Sequence, residues 1–169
     1  MTWVVVVGNG CSKGRMPEAG PGVIVSANMG FPCADYLVTR DLVGLRMLID
    51  AELPGKIVTT SYHATDERKE RKAFEGRWPA VVVDVTKGKP VGLWEFEYER
   101  GLYSWSVNSG VFAVQFALNH LRASRVTVVG FDGYTLGHRQ RQDGQLAEIM
   151  YQCPDVKFDM LFGRTRIDP

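Results

Sequence analysis

The chain has 169 residues, 45% of them hydrophobic and 23% charged, with 20 Lys and Arg against 19 Asp and Glu for a formal net charge of +1. A chain of this length is most simply one domain, residues 1–169, and its balanced charge supplies no field that would draw it to nucleic acid or to a membrane surface. No apolar run approaches the roughly 18 residues that span a bilayer, and three widely spaced cysteines without a CxxC (Cys11, Cys33, Cys153) read as reduced thiols, so a cytoplasmic protein is expected.

Taken in chain order, the first element is a strand over Trp3 to Val7, four valines that run into the glycine-rich turn "GNGCSKG". Further strands are expected over Gly22 to Ser26, Tyr36 to Thr39, Lys56 to Thr60, Ala80 to Val85 and Arg125 to Val129. Their valine and isoleucine content, without alternation, suits a parallel sheet covered on both faces. Helices are expected over Leu42 to Glu52, ahead of the Pro54-Gly55 break, and over Gly110 to Leu121, with Asn108 or Ser109 as its N-cap. A third helix is expected over Asp143 to Gln152, stopped by Pro154. Strands alternating with helices predict a Rossmann-like α/β fold, a mostly parallel sheet with helices on both faces. Ser61 to Trp78 is the most polar stretch and reads as a surface element.

Several familiar chemistries fall away. The glycines at 8, 10 and 14 are one residue too wide for the dinucleotide fingerprint GxGxxG, and Asn28 occupies the place of a ribose-binding acid after the second strand. The chain contains no GxxxxGK[ST], no HExxH, no Cys/His set with zinc spacing and no GxSxG elbow. What remains is a set of polar residues at strand ends: Asn9, Asn28, the Ser109-Gly110 pair opening an apolar helix, and Asp132 and Tyr134 after the last expected strand, with His138 beyond. In a parallel sheet those ends share one edge, where ligands of α/β proteins bind. A helix N-terminus there favours an anionic oxygen. Asparagines can both donate to and accept from a pyrimidine or ribose, and a tyrosine hydroxyl can donate to a phosphate.

The same residues resemble a known family. The bacterial sialyltransferases typified by the Campylobacter lipooligosaccharide enzymes begin with a strand and a GNGPS-like loop, matched here by "GNGCS" at Gly8 to Ser12. They place an asparagine after the second strand, as Asn28 stands in "SANMGF". A Thr-Ser-Gly-Val segment then opens a long helix before a strand ending Gly-Ile-Asp-Phe-Tyr, and "NSGVFAVQFALNHLRASRVTVVGFDGY" from Asn108 to Tyr134 is similar in order and spacing. Finally, a Gly-His precedes an aspartate five residues after the histidine, as His138 precedes Asp143. The resemblance covers most of the chain. Its SGV-to-FDGY block is shared with the MptE-like proteins, which include a pterin diphosphokinase.

The resemblance implies a donor of the CMP-sugar type, held by Gly8, Asn9, Gly10, Ser12, Asn28, Ser109, Gly110 and Asp132. It implies that Tyr134 contacts the donor phosphate and that His138 is the general base for inverting transfer. No metal and no cofactor beyond the donor are required on that reading, because a histidine base and a tyrosine donor suffice. The alternatives are an MptE-like diphosphokinase using ATP and Mg²⁺ at the same edge, and a nucleotide-binding module without turnover.

The sequence departs from the family in the loop between Tyr134 and His138, which is much shorter here, and in three further places. The second phosphate-binding tyrosine is missing, "TRD" at Thr39 to Asp41 replaces an asparagine after the third strand, and Ser106 and Val107 stand where a basic residue precedes Ser-Gly. Arg40 has the chemistry to bind phosphate in compensation and equally that of a surface ion pair. Purely architectural roles stand beside each functional one: a tight turn for Asn9 and Gly10, a helix cap for Asn108 or Ser109, a loop anchor for Tyr134, an exposed histidine at 138. His120 reads as a core or helix-end histidine, His63 as a surface one, and Trp78, Trp94, Trp105 and Phe96 as packing residues.

Overall fold

The computed structural model describes residues 1–10, 22–60, 81–83, 108–132 and 136–161. The described residues form seven strands: β1 (Trp3–Val7), β2 (Val23–Ala27), β3 (Tyr36–Val38), β4 (Lys56–Thr60), β5 (Val81–Val83), β6 (Arg125–Val129) and β7 (Lys157–Leu161). They form one sheet in the order β5-β4-β3-β2-β1-β6-β7, and every pairing is parallel. Among the described residues three helices accompany them: α1 (Leu42–Asp50), α2 (Ser109–Asn119) and α3 (Leu136–Gln152). This is the expected Rossmann-like α/β architecture.

The order reverses between β1 and β6. Strands β2 to β5 are laid down outward on one side of β1, whereas β6 and β7 lie on the other. With crossovers of constant right hand, connections running in opposite directions must cross opposite faces. The helices obey this. Alternate residues of the strands (Val4, Val6, Val25, Val38, Val58, Val126 and Val128) pack with α2 and with Leu146 and Ile149 of α3. The other alternation (Leu37, Ile57) packs with Leu45, Leu48 and Ile49 of α1. Central strands thus bury both faces, which is why β1 reads as an unbroken valine run. Val4, Val6, Val7, Val25, Val38 and Val58 are fully buried, each contributing roughly 1.5–3 kcal/mol of transfer free energy.

Helix α2 is apolar on most sides because residues 109–118 are all buried, between the sheet on one side and α3 on the other. Asn108 is its N-cap, accepting the Val111 N–H at 2.9 Å through Oδ1. Helix α1 is capped by the Asp41 carboxylate, which accepts from the Gly44 N–H, and it ends where Glu52 turns left-handed (φ 50).

Several expectations need correction. Strand β2 lies one residue later than its Gly22 start, and α1 and α2 each close two residues early. Helix α3 begins at Leu136 instead of Asp143, so His138 lies on its first turn. Strand β7 was not expected: it pairs with β6 alone, and its register sets Asp159 beside Thr127 and Lys157 beside Arg125. Arg125 Nε donates to Asp159 Oδ2 at 2.7 Å, an ion pair between β6 and β7. The polar stretch Ser61 to Trp78, His63, Trp94, Phe96 and Trp105 fall outside the described residues. Cys33 and Cys153 are free thiols, and Cys11 is outside the described set. Among the described residues no helix is long and apolar enough to cross a membrane.

Candidate functional site

The carboxyl ends of β1 and β6 meet at the point where the strand order reverses, with those of β2 and β3 following on the same edge. Gly8 N–H donates to the Val129 carbonyl at 2.8 Å and Gly10 N–H to the Gly130 carbonyl at 2.7 Å, so the β1 and β6 turns are laced together beyond the sheet. A Cβ on Gly8 would collide with the Gly130 carbonyl oxygen, and one on Gly130 (φ +75) would lie 2.6 Å from the Gly8 carbonyl oxygen. A Cβ on Gly10 would lie 2.7 Å from Asp132 Oδ2, and one on Gly30 2.9 Å from Asn9 Oδ1. These glycines let three turns (8–10, 28–30 and 130–132) pack backbone on backbone. Their first duty is mutual, and the space a side chain would need is filled by protein.

Around this glycine seam the expected polar residues assemble. Asn9 is exposed at its rim, with its side-chain oxygen beside Gly30. Asn28 takes the left-handed conformation (φ 52), which asparagine tolerates better than most residues, and its N–H continues the ladder to the Val38 carbonyl. Asn28 Oδ1 is buried and has no hydrogen-bond partner among the described residues. It lies near Gly44, where Thr39 Oγ1 and Asp41 Oδ1 also approach. Ser26, fully buried, shapes the Asn28 turn by accepting the Phe31 N–H at 2.8 Å.

Helix α2 opens at the same edge. Gly110 has no room for a side chain, since a Cβ there would sit 2.9 Å from the Phe131 ring, so the Phe131 turn after β6 is pressed against the first turn of α2. Ser109 is buried and its hydroxyl accepts the backbone N–H of Arg40 at 3.1 Å, joining α2 to the end of β3 across 69 positions of sequence. The structure thus separates two roles that sequence left open: Asn108 caps the helix, and Ser109 ties it to β3. The starts of α1 and α3 face this edge as well, because each helix follows a strand that ends there.

Asn9, Asn28, Ser109, Gly110 and Asp132, with Gly8 and Gly10, are therefore brought together. His138 has its backbone in the first turn of α3 at that edge. Ser12 and Tyr134 lie outside the described residues. His138 and Asp143 are five positions apart on the same helix, α3. His120 is excluded by place: it is the C-cap of α2, at the opposite edge, stacked on Phe116 with ring centroids 5.2 Å apart. Burial, with a lesser contribution from Arg122, holds its pKa below the usual histidine value. The Cys153 thiol, partly buried at the end of α3, is pushed up by burial and is no poised nucleophile.

Sequence reasoning left one member of this edge undecided, Arg40. Its guanidinium carbon lies 5.5 Å from the centroid of the Phe112 ring in the first turn of α2. No local pattern in "VTRDL" reports this, because the partner is on a helix far along the chain. Among the described residues no group of three His, Cys, Asp or Glu side chains is placed to hold a metal ion. No family model, characterised protein or solved structure matches the chain.

Proposed function

We propose that the chain binds a nucleotide-sugar donor of the CMP type at the carboxyl edge of its sheet and transfers the sugar to an acceptor hydroxyl. The observation that carries this reading is the convergence of Asn9, Asn28 and the Ser109-Gly110 start of α2 on the β1/β6 reversal point. Crevices at such reversal points are where open α/β sheets bind nucleotides. The exposed Asn9 amide offers the paired donor and acceptor that a pyrimidine edge and a ribose require, and Asn28 Oδ1 is a buried acceptor without a partner among the described residues. A helix start offers N–H groups and a positive dipole to a phosphate.

In the proposed reaction the acceptor hydroxyl loses its proton to His138, its oxygen bonds to the anomeric carbon, and the bond from that carbon to the CMP phosphate oxygen breaks. The electron pair leaves with CMP. Histidine is suited to the first event because its pKa lies near neutral pH, and Tyr134 would donate to the departing phosphate. A positive helix end beside that phosphate stabilises its charge further. The spacing in the resembling family, and the place of His138 at the head of α3, support these two assignments.

Titration calorimetry with CMP tests the binding half. Asn9→Ala is expected to weaken CMP binding by about 1–3 kcal/mol, the range for a lost buried hydrogen bond, while melting normally. His138→Ala is expected to keep CMP affinity and to lower transfer or donor hydrolysis roughly 10²–10⁴-fold. Equal CMP affinity in wild type and Asn9→Ala would remove the first loop from the site. Full activity in His138→Ala would remove the base.

A further inference from the structure

We infer that the outer side of β7 is a self-complementary dimerisation surface, on which a second copy of this chain pairs antiparallel about Phe158. The inference is independent of the nucleotide reading.

Among the described strands β7 closes one side of the sheet and pairs with β6. The Lys157 N–H donates to the Ser124 carbonyl at 3.0 Å, so Lys157 turns its backbone groups toward β6. Along a ladder that direction alternates, so Asp159 and Leu161 do the same, while Phe158 and Met160 turn theirs outward. The side chains alternate in step. Phe158 and Met160, with Val156 ahead of them, pack half-buried on the face that carries α2 and α3. Lys157 and Asp159 lie on the other face, where Asp159 meets Arg125 and the Lys157 side chain is 67% exposed.

A strand edge is a template for another strand, and a lysine on it commonly guards against such pairing. Here the guard carries its own counter-charge two residues on. When two identical strands pair antiparallel, outward-turned residues must oppose outward-turned ones, which leaves few registers. Centring the pair on Lys157 or on Asp159 opposes like charges at the close, non-hydrogen-bonded spacing, which is destabilising. Centring it on Met160 or Leu161 carries Lys157 beyond the end of the partner's strand. Centring it on Phe158 satisfies backbone and side chains together. Phe158 exchanges both backbone hydrogen bonds with the partner's Phe158, and Lys157 stands opposite the partner's Asp159. On the apolar face Val156 stands opposite the partner's Met160. The two-fold axis makes the charge pair and the apolar pair twice. Asp159 has an oxygen for the incoming lysine: Arg125 engages Oδ2, and the intrachain Lys157 contact with Oδ1 is long, at 3.9 Å.

The test is sedimentation velocity of the full chain over a concentration series. A contact of one short strand edge belongs to the weak class, so wild type is expected to pass from monomer to dimer in the micromolar range. Lys157→Glu sets a carboxylate opposite the partner's Asp159 twice and is expected to weaken the dimer roughly 10–100-fold. Its melting temperature should match wild type, because Lys157 is exposed. Asp159→Lys opposes two ammonium groups instead and should weaken the dimer likewise. Mixing the two variants recreates both opposite-charge pairs, so a heterodimer is expected where neither variant dimerises alone. Rescue of this kind separates the stated register from a general effect of surface charge. If Asp159→Lys fails to fold after losing its pair with Arg125, Lys157→Glu against Lys157→Arg decides, since only the first should dissociate the dimer. Wild type that stays monomeric throughout, Lys157→Glu that dimerises like wild type, or two folded variants that do not pair on mixing would each overturn the inference.

Discussion

The two edges of the sheet are built from similar residue types and used differently. At the amino edge, polar and aromatic groups satisfy one another. Trp3 Nε1 donates to Thr127 Oγ1 at 3.0 Å, Arg125 lies 4.7 Å over the Trp3 ring and pairs with Asp159, Lys56 lies over Tyr36, and Tyr36 packs on Phe116, which stacks on His120. At the carboxyl edge the glycines are consumed in backbone packing, Asn9 projects into solvent, Asn28 Oδ1 is buried without a partner among the described residues, and a cation stands near helix N-termini. The first edge is closed, and each group there adds to stability. The second leaves an exposed amide at its rim and a buried amide oxygen without a partner among the described residues, a local inconsistency of the kind that marks a binding site.

The largest effect that would break this contrast is steric. Gly8→Ala forces a Cβ onto the Gly130 carbonyl oxygen, backbone that cannot swing aside, and is expected to destabilise the fold by about 2–3 kcal/mol or more. Urea denaturation measures it. A loss below about 0.5 kcal/mol would show that the β1 and β6 turns are not locked together as described.

A smaller effect sharpens the contrast from the amino edge. Arg125→Ala removes the Asp159 pair and the contact with Trp3 together. The side chains are 39% and 28% exposed, so solvent screening limits the loss to about 1 kcal/mol, and CMP affinity should not change. Altered nucleotide affinity in that variant would blur the division between the edges.

The smallest effect is a pH dependence. His120 has a folded pKa below its unfolded value of 6.5, first through burial and then through Arg122. The unfolded chain therefore binds more protons between the two values. The contribution of His120 is fully present above pH 6.5 and is lost as pH falls through the depressed folded pKa. Wild type should thus lose stability below pH 6.5 slightly faster than His120→Gln, in thermal melts at a series of pH values. A parallel decline in both proteins would contradict the assignment.

How much of this was readable beforehand follows from which signals are local. Doubly buried strands declare themselves, and Trp3–Val7, Lys56–Thr60 and Arg125–Val129 lie where their valine-rich runs place them. The early start of α3 was hidden because "LGHRQRQD" has too little apolar content to show a helical period. Strand β7 was hidden because Lys157 and Asp159 are ladder partners for β6, a pairing that needs tertiary register. At the site, the gathering of Asn9, Asn28, Ser109 and Asp132 was legible, because parallel strands send all their carboxyl ends to one edge. The use of Gly8, Gly10 and Gly130 as mutual packing, and the junction of Arg40 with Ser109 and Phe112, was not. Those contacts join segments far apart in the chain, and single residues carry no trace of them.

The central claim is that the carboxyl edge, and not the closed amino edge, receives a nucleotide. Amide chemical-shift mapping during titration of the full chain with CMP tests it most directly. The account predicts saturable shifts at Asn9 and Gly10, Asn28, Arg40, Ser109 and Gly110 and Asp132, with Trp3, Tyr36, Lys56, His120 and Arg125 unmoved. Shifts centred on the amino edge, or none at all at millimolar CMP, would contradict it.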